Sequence, residues 1–236
     1  MLTALSLIVG LATAPTNPTA PVPVVPGQSL GGIALGTAEA DLGKTGLPVS
    51  PGAIDTWRKV GPYEVQIDGG KVVQISLDLS SLFDTLKIGD QIVRPQAPED
   101  MAAHLGGCGP LEMRTGGNMI ECTSGALAGQ HMGGLTVRVV PPSQASDQPV
   151  CAGYIVPGRD GQRLPLEAGK TYCAGSSVLT TAIVQADVLG KLRYNTCQTQ
   201  PSEGATVVSC PYQGVRFVFA SPAGTLARIE GVAIKQ

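Results

Sequence analysis

Two cysteine pairs constrain this chain more than any other feature. "CGPLEMRTGGNMIEC" runs from Cys108 to Cys122, and "CQTQPSEGATVVSC" runs from Cys197 to Cys210. The two separations are nearly equal, and each pair closes on a β-prone run. Cys151 and Cys173 complete a set of six, all after residue 107. An even cysteine count is the pattern of a disulfide framework when the chain folds in an oxidising compartment.

The N-terminus supports such a compartment. Leu2 to Leu11 is an apolar run followed by small residues at Ala12 and Ala14. Its length suits the core of an export signal and falls short of a membrane span. A signal peptide over residues 1–12 is therefore expected, with no membrane span in the mature chain and an exported location, periplasmic or extracellular. Residues 13–29 are rich in Pro and carry no charge. They read as an extended linker.

The remainder can build a core, because hydrophobic residues are 43% and charged residues 14% of the chain. With 31 Gly and 19 Pro, turns and short strands are favoured over long helices. The net charge is -2 and the basic residues are scattered. A nucleic-acid partner needs a basic face that displaces counterions from phosphate, so that class is excluded.

Three related units are expected after the linker, at 30–80, 81–157 and 158–236. In the first, "LGTAEADLGKTG" reads as a short helix capped by Thr37, with Glu39 and Asp41 in its first turn and Gly46 as its stop. "IDTWRKV" and "YEVQIDGGKVVQISLDL" supply three strands, with a hairpin at Asp68-Gly69-Gly70. In the second, "PEDMAAHLGG" is a helix from Pro98 to Gly106. "NMIEC" and "GLTVRVV" are strands; the remaining strand is "ALAGQHM" or "CAGYIVP", with the latter preferred for its shorter connection. In the third, "TTAIVQADVLGKL" is a helix and "ATVVSC", "VRFVFA" and "LARIEGVAI" are strands. The expected fold is α+β: three tandem units of a short helix plus a three-stranded antiparallel meander, stapled by disulfides.

The residues "AAHLGGCGP", "NMIECTSGALAG" and "TVRVV", with "ADVLGKLRYNTC", "VVSC" and "VRFVFASPAGTLARIEGV", carry a resemblance. Helix, Cys, polar loop, strand, Cys and two further strands resemble the β-lactamase inhibitory protein family. The same helix and meander resemble the small lipoproteins of the outer-membrane barrel-assembly machinery. The first resemblance implies tandem units, each with a disulfide from the helix end to the first strand, and binding of an enzyme through loops and a concave sheet face. Sequence alone leaves many connectivities open for six cysteines. Nearest-neighbour pairing, Cys108 with Cys122, Cys151 with Cys173 and Cys197 with Cys210, is the expectation.

Some of the same residues also suit other chemistry. His104, Cys108, Cys122 and His131 form a two-His, two-Cys set, and His104 and Cys108 sit one helical turn apart. The Cys197 and Cys210 pair has no histidine beside it, so one explanation serves both pairs only if they are disulfides. No metal or cofactor is expected. Ser176 and Ser177 in "CAGSS" have no base tied to them. The loop "TSGALAGQHMGG" is long and neutral, and its bulkiest residues, Gln130, His131 and Met132, are the candidate binding tip. The leading expectation is a non-enzymatic exported module that binds another exported protein or a cell-envelope component. The alternatives are a structural envelope or surface component, and a zinc-dependent enzyme using His104 and His131.

Overall fold

A computed structural model describes residues 20–79, 84–114, 117–132, 134–143, 149–156, 163–183, 197–210, 215–220, 224–230 and 233–235. The expected signal peptide lies outside these residues, as does most of the expected third helix.

The chain begins with three short strands, β1 (Val22–Val25), β2 (Ser29–Leu30) and β3 (Ile33–Ala34). A 3-10 helix (Glu39–Thr45) leads to β4 (Val49–Pro51), β5 (Trp57–Val60), β6 (Tyr63–Asp68) and β7 (Lys71–Leu79). Next come β8 (Leu86–Ile88), β9 (Gln91–Val93) and the helix α1 (Pro98–Leu105). The strands β10 (Glu112–Arg114), β11 (Gly117–Cys122), β12 (Ala126–His131) and β13 (Gly134–Val139) follow. After them lie β14 (Gly153–Ile155), β15 (Arg163–Pro165), β16 (Tyr172–Ala174) and β17 (Ser177–Leu179). The last elements are β18 (Gln198–Ser202), β19 (Ala205–Cys210), β20 (Val215–Ala220), β21 (Leu226–Glu230) and β22 (Ala233–Lys235).

These strands form four sheets, and the expected α+β architecture of three helix-plus-meander units is overturned. The protein is mostly β, and the described residues include only two short helices. The largest sheet has eight strands in the order β10-β11-β12-β13-β7-β6-β5-β4. A five-stranded sheet, β3-β2-β1-β8-β9, uses Val22–Val25 from inside the segment read as a linker. There β1 runs parallel to β8. A four-stranded sheet, β17-β16-β14-β22, takes "CAGYIVP" away from the second meander, and "ALAGQH" fills that place as β12. The fourth sheet is β15-β21-β20-β19-β18.

Local chemistry explains each helix. Ala97 is extended ahead of Pro98, whose missing N–H costs nothing at a helix start. The buried Asp100 carboxylate accepts from the Gln96 and Ala97 N–H groups at 2.7 and 3.0 Å. Met101, Ala102 and Leu105 then bury the apolar face. The earlier helix is 3-10 and starts at Glu39, with Ala38 in place of Thr37 at its cap position. Thr37 is already committed: its carbonyl accepts from Val72 N–H at 2.9 Å, and Ala38 bridges Lys71. Its side chain makes no cap, and only Leu42 is fully inside.

Past α1 the chain must reverse within a few residues. Gly106 and Gly107 both take positive φ, 79° and 66°. A Cβ on Gly107 would lie 2.2 Å from Thr123 Oγ1, so the approach needs glycine. This reversal seats Cys108 beside Cys122, the last residue of β11, and the two form a disulfide. A second disulfide joins Cys151 to Cys173.

Burial separates into two cores. The first lies beneath the eight-stranded sheet, covered by α1, the 3-10 helix and the β1–β3 strands, and it contains both disulfides and Tyr154. The second gathers Ile155, Tyr172, Leu179, Val208, Phe217, Phe219, Leu226 and Ile229. Strands β14 and β16 are the wall between them. Successive strand residues point to opposite faces. Tyr154 and its partner Cys173 therefore face the first core, while Ile155 and Tyr172 face the second.

Two outcomes follow from this packing. Replacing Cys108 and Cys122 together by Ala removes about 3 kcal/mol, read as a lower urea midpoint. Burial pushes the Tyr63 hydroxyl up, and burial followed by the Glu99 charge pushes Tyr154 up further. The fold thus favours neutral tyrosine. Its contribution is intact below about pH 10, where unfolded tyrosine ionises, and is lost as pH rises above that. Urea midpoints at about pH 8 and about pH 11 should differ in that direction, and Tyr154→Phe should shrink the difference.

Candidate functional site

The expected tip residues fall on the β12–β13 hairpin. Gln130 is half-buried, His131 is exposed and pairs with Gly134, and Met132 is 95% exposed. Met132 is the one non-glycine residue with positive φ among the described residues, at 46°. A two-residue hairpin loop favours Asn or Gly there, so a methionine is held at some cost.

The four-ligand zinc set does not assemble. Cys108 and Cys122 are joined to each other and offer no thiolates. Among the described residues no cysteine is free, and no group of three or more His, Cys, Asp or Glu is placed to hold a metal ion. Cys197 is also disulfide-bonded; the side chain of Cys210 lies outside the described residues.

The eight-stranded sheet packs one face on the first core, and its other face is exposed toward β4–β6 and buried at Ser76 and Thr136 in its middle. Register assigns the residues. Cys122, Ala126, Val139, Ile75 and Val65 form one row toward the core, and Ile120, Ala128, Val137, Leu77 and Tyr63 form the next. Alternation puts their neighbours on the opposite side. One outer row runs Glu121, Leu127, Arg138, Ser76, Glu64, Lys59 and Ser50 across seven strands. Its charges alternate in sign across the sheet. Beside it lie Thr136 and Asp78, joined by a 2.9 Å hydrogen bond, and on the other flank Trp57, Gln66 and Gln74. His131 shares this face at the far corner, about 20 Å along and about 20 Å across from Trp57 by strand spacing.

Trp57 is the single tryptophan of the chain and is half-buried. With Gly52, Ala53, Ile54, Lys59 and Glu64 it lines a pocket of 190 Å³. A neighbouring cleft of 470 Å³ runs along the sheet edge, lined by Val49, Ser50, Pro51, Gly52, Ile54, Asp55 and Arg58. Arg58 fixes the loop between β4 and β5. It pairs with Glu39 at 2.6 Å and donates to the Asp55 and Trp57 carbonyls. A third cleft, of 410 Å³, lies on the fourth sheet, where Arg216 and Arg228 both pair with the nearly buried Glu230.

No known protein family, curated protein or solved structure matches the chain. Sequence reasoning singled out the hairpin tip and passed over Trp57. The available signal was a lone tryptophan directly after the turn-rich "SPGAIDT". For the tip, Met132→Asn should raise stability by about 0.5–1 kcal/mol in urea unfolding, because Asn tolerates positive φ.

Proposed function

We propose that this chain is an exported, non-enzymatic protein-binding module whose contact surface is the outer face of the eight-stranded sheet. The observation that carries the reading is the Trp57 corner. A half-buried indole beside a pocket, bordered by the exposed Lys59 and Glu64 pair, sits at the β4–β6 end of the outer face, the part of that face that is exposed; Ser76 and Thr136 at its middle are buried. Interface hot spots take this form, an aromatic anchor in a pocket with polar residues around it. The mixed charges of the Glu121-to-Ser50 row fit a partner by complementarity and give no single-sign field for nucleic acid.

Export is supported by chemistry as well as by the leader-like N-terminus. Disulfides persist in oxidising compartments, and no helix among the described residues is long and apolar enough to cross a membrane. The resemblance to the β-lactamase inhibitory proteins points the same way, toward recognition of another exported protein through a sheet face.

A photo-crosslinking side chain placed at Glu64 tests the reading in an extract of the exported fraction. It should capture a defined protein, and the same group at the exposed Gln200 should not. Trp57→Ala should weaken that complex at least tenfold, and Arg138→Glu should weaken it in a salt-dependent way. Equal capture from Glu64 and Gln200, or none from Glu64, would overturn the reading.

A further inference from the structure

The edge of the eight-stranded sheet carries a second recognition element. β4 is its last strand, and its three residues are all exposed. In an antiparallel ladder, residues alternate between bonding one neighbour and facing the other side. Gly61 N–H donates to the Pro48 carbonyl and Gly52 N–H to the Trp57 carbonyl, both at 2.9 Å. With the Ser50 and Lys59 pairing between them, residues 48, 50 and 52 are turned toward β5. Val49 and Pro51 are turned away. The Val49 N–H, the Val49 carbonyl and the Pro51 carbonyl thus face outward, and among the described residues no strand pairs with them.

This unpaired edge borders the 470 Å³ cleft. Val49 and Ile54 are 42% and 61% exposed there. Large apolar side chains left open beside free main-chain groups suit an extended peptide, which adds a strand and seats alternate side chains. The charge of the cleft selects further. Arg58 is committed to Glu39, which leaves the exposed Asp55 as the uncompensated charge on the wall. Pro51 has no N–H to give, so the edge supports a short addition and resists open-ended pairing between copies.

We propose that β4 docks an extended segment of the partner as an added antiparallel strand, with an aliphatic residue against Val49 and Ile54 and a basic residue near Asp55. The proposal rests on the protein-binding reading and deepens it by naming the class of partner segment.

The probe is a capped peptide alternating Val and Thr with Lys at both ends. Two variants accompany it: one N-methylated on alternate residues, in either frame, and one with Glu replacing both Lys. Hydrogen exchange at the Val49 amide should slow at least tenfold when the Lys peptide saturates the full-length protein. Trp57 fluorescence, from the only indole, should change with the same midpoint. N-methylation in the pairing frame should weaken binding at least tenfold. The Glu peptide should bind several-fold more weakly, and Asp55→Lys should reverse that preference. Val49→Pro, which deletes the outward donor, should lose the peptide; Asp55→Lys alters only an exposed loop residue and serves if Val49→Pro fails to fold. Unchanged Val49 exchange, or equal binding of the N-methylated peptide in both frames, overturns the proposal. Capture from Glu64 alongside unchanged Val49 exchange would overturn edge docking and leave the outer-face reading intact.

Discussion

Half of this molecule depends on what the backbone does at Cys108. Its side chain is bonded to Cys122 at the end of β11. Its carbonyl accepts from Cys151 N–H at 2.8 Å, and Cys151 is bonded to Cys173 in β16. The next residues continue the junction. The Gly109 carbonyl accepts the Tyr154 hydroxyl at 2.9 Å, and Leu111 N–H donates to the Gly175 carbonyl. One short stretch therefore holds α1, the eight-stranded sheet and the four-stranded sheet together. Few of the contributors are aromatic, so covalent links and buried hydrogen bonds do work that large side chains do elsewhere. The two glycines ahead of Cys108 are the backbone condition for all of it.

A second joint gives the protein its surface. Strand β13 pairs with β7, from Leu135 with Leu79 to Val139 with Ile75, and two separate runs of strands become one sheet. The first core, the helices and the small five-stranded sheet all lie on one side, and among the described residues the other side is exposed toward the β4 edge. A broad rigid face and an exposed terminal strand are consequences of the same pairing. Recognition through the face and docking at the β4 edge use one scaffold, with Trp57 and the loop at residues 52–56 standing between them.

Local features were legible in the sequence. The hairpin at Asp68-Gly69-Gly70, the start of α1 at Pro98 and its end at Gly106 are set by residues within a few positions of one another. The fold class was not. Strands such as Ser29–Leu30 and Gly153–Ile155 are too short to show periodicity, and the prolines around Val22–Val25 read as a linker. The parallel pairing of β1 with β8 and the joining of β7 to β13 connect residues far apart in the chain, which no local pattern encodes. The site followed the same division. Met132 was visible as a loop residue, whereas Trp57 gained meaning only once register placed it on the outer face.

The Cys108 junction makes two cores one cooperative unit, so that the outer face of the large sheet is held rigid from beneath. Urea unfolding with the disulfides intact tests it, followed by Trp57 fluorescence in the sheet above the first core and by NMR of the Leu226 and Ile229 methyl groups in the second. Coincident transitions with one midpoint are predicted. A second-core transition completed well before the Trp57 signal moves would contradict the account.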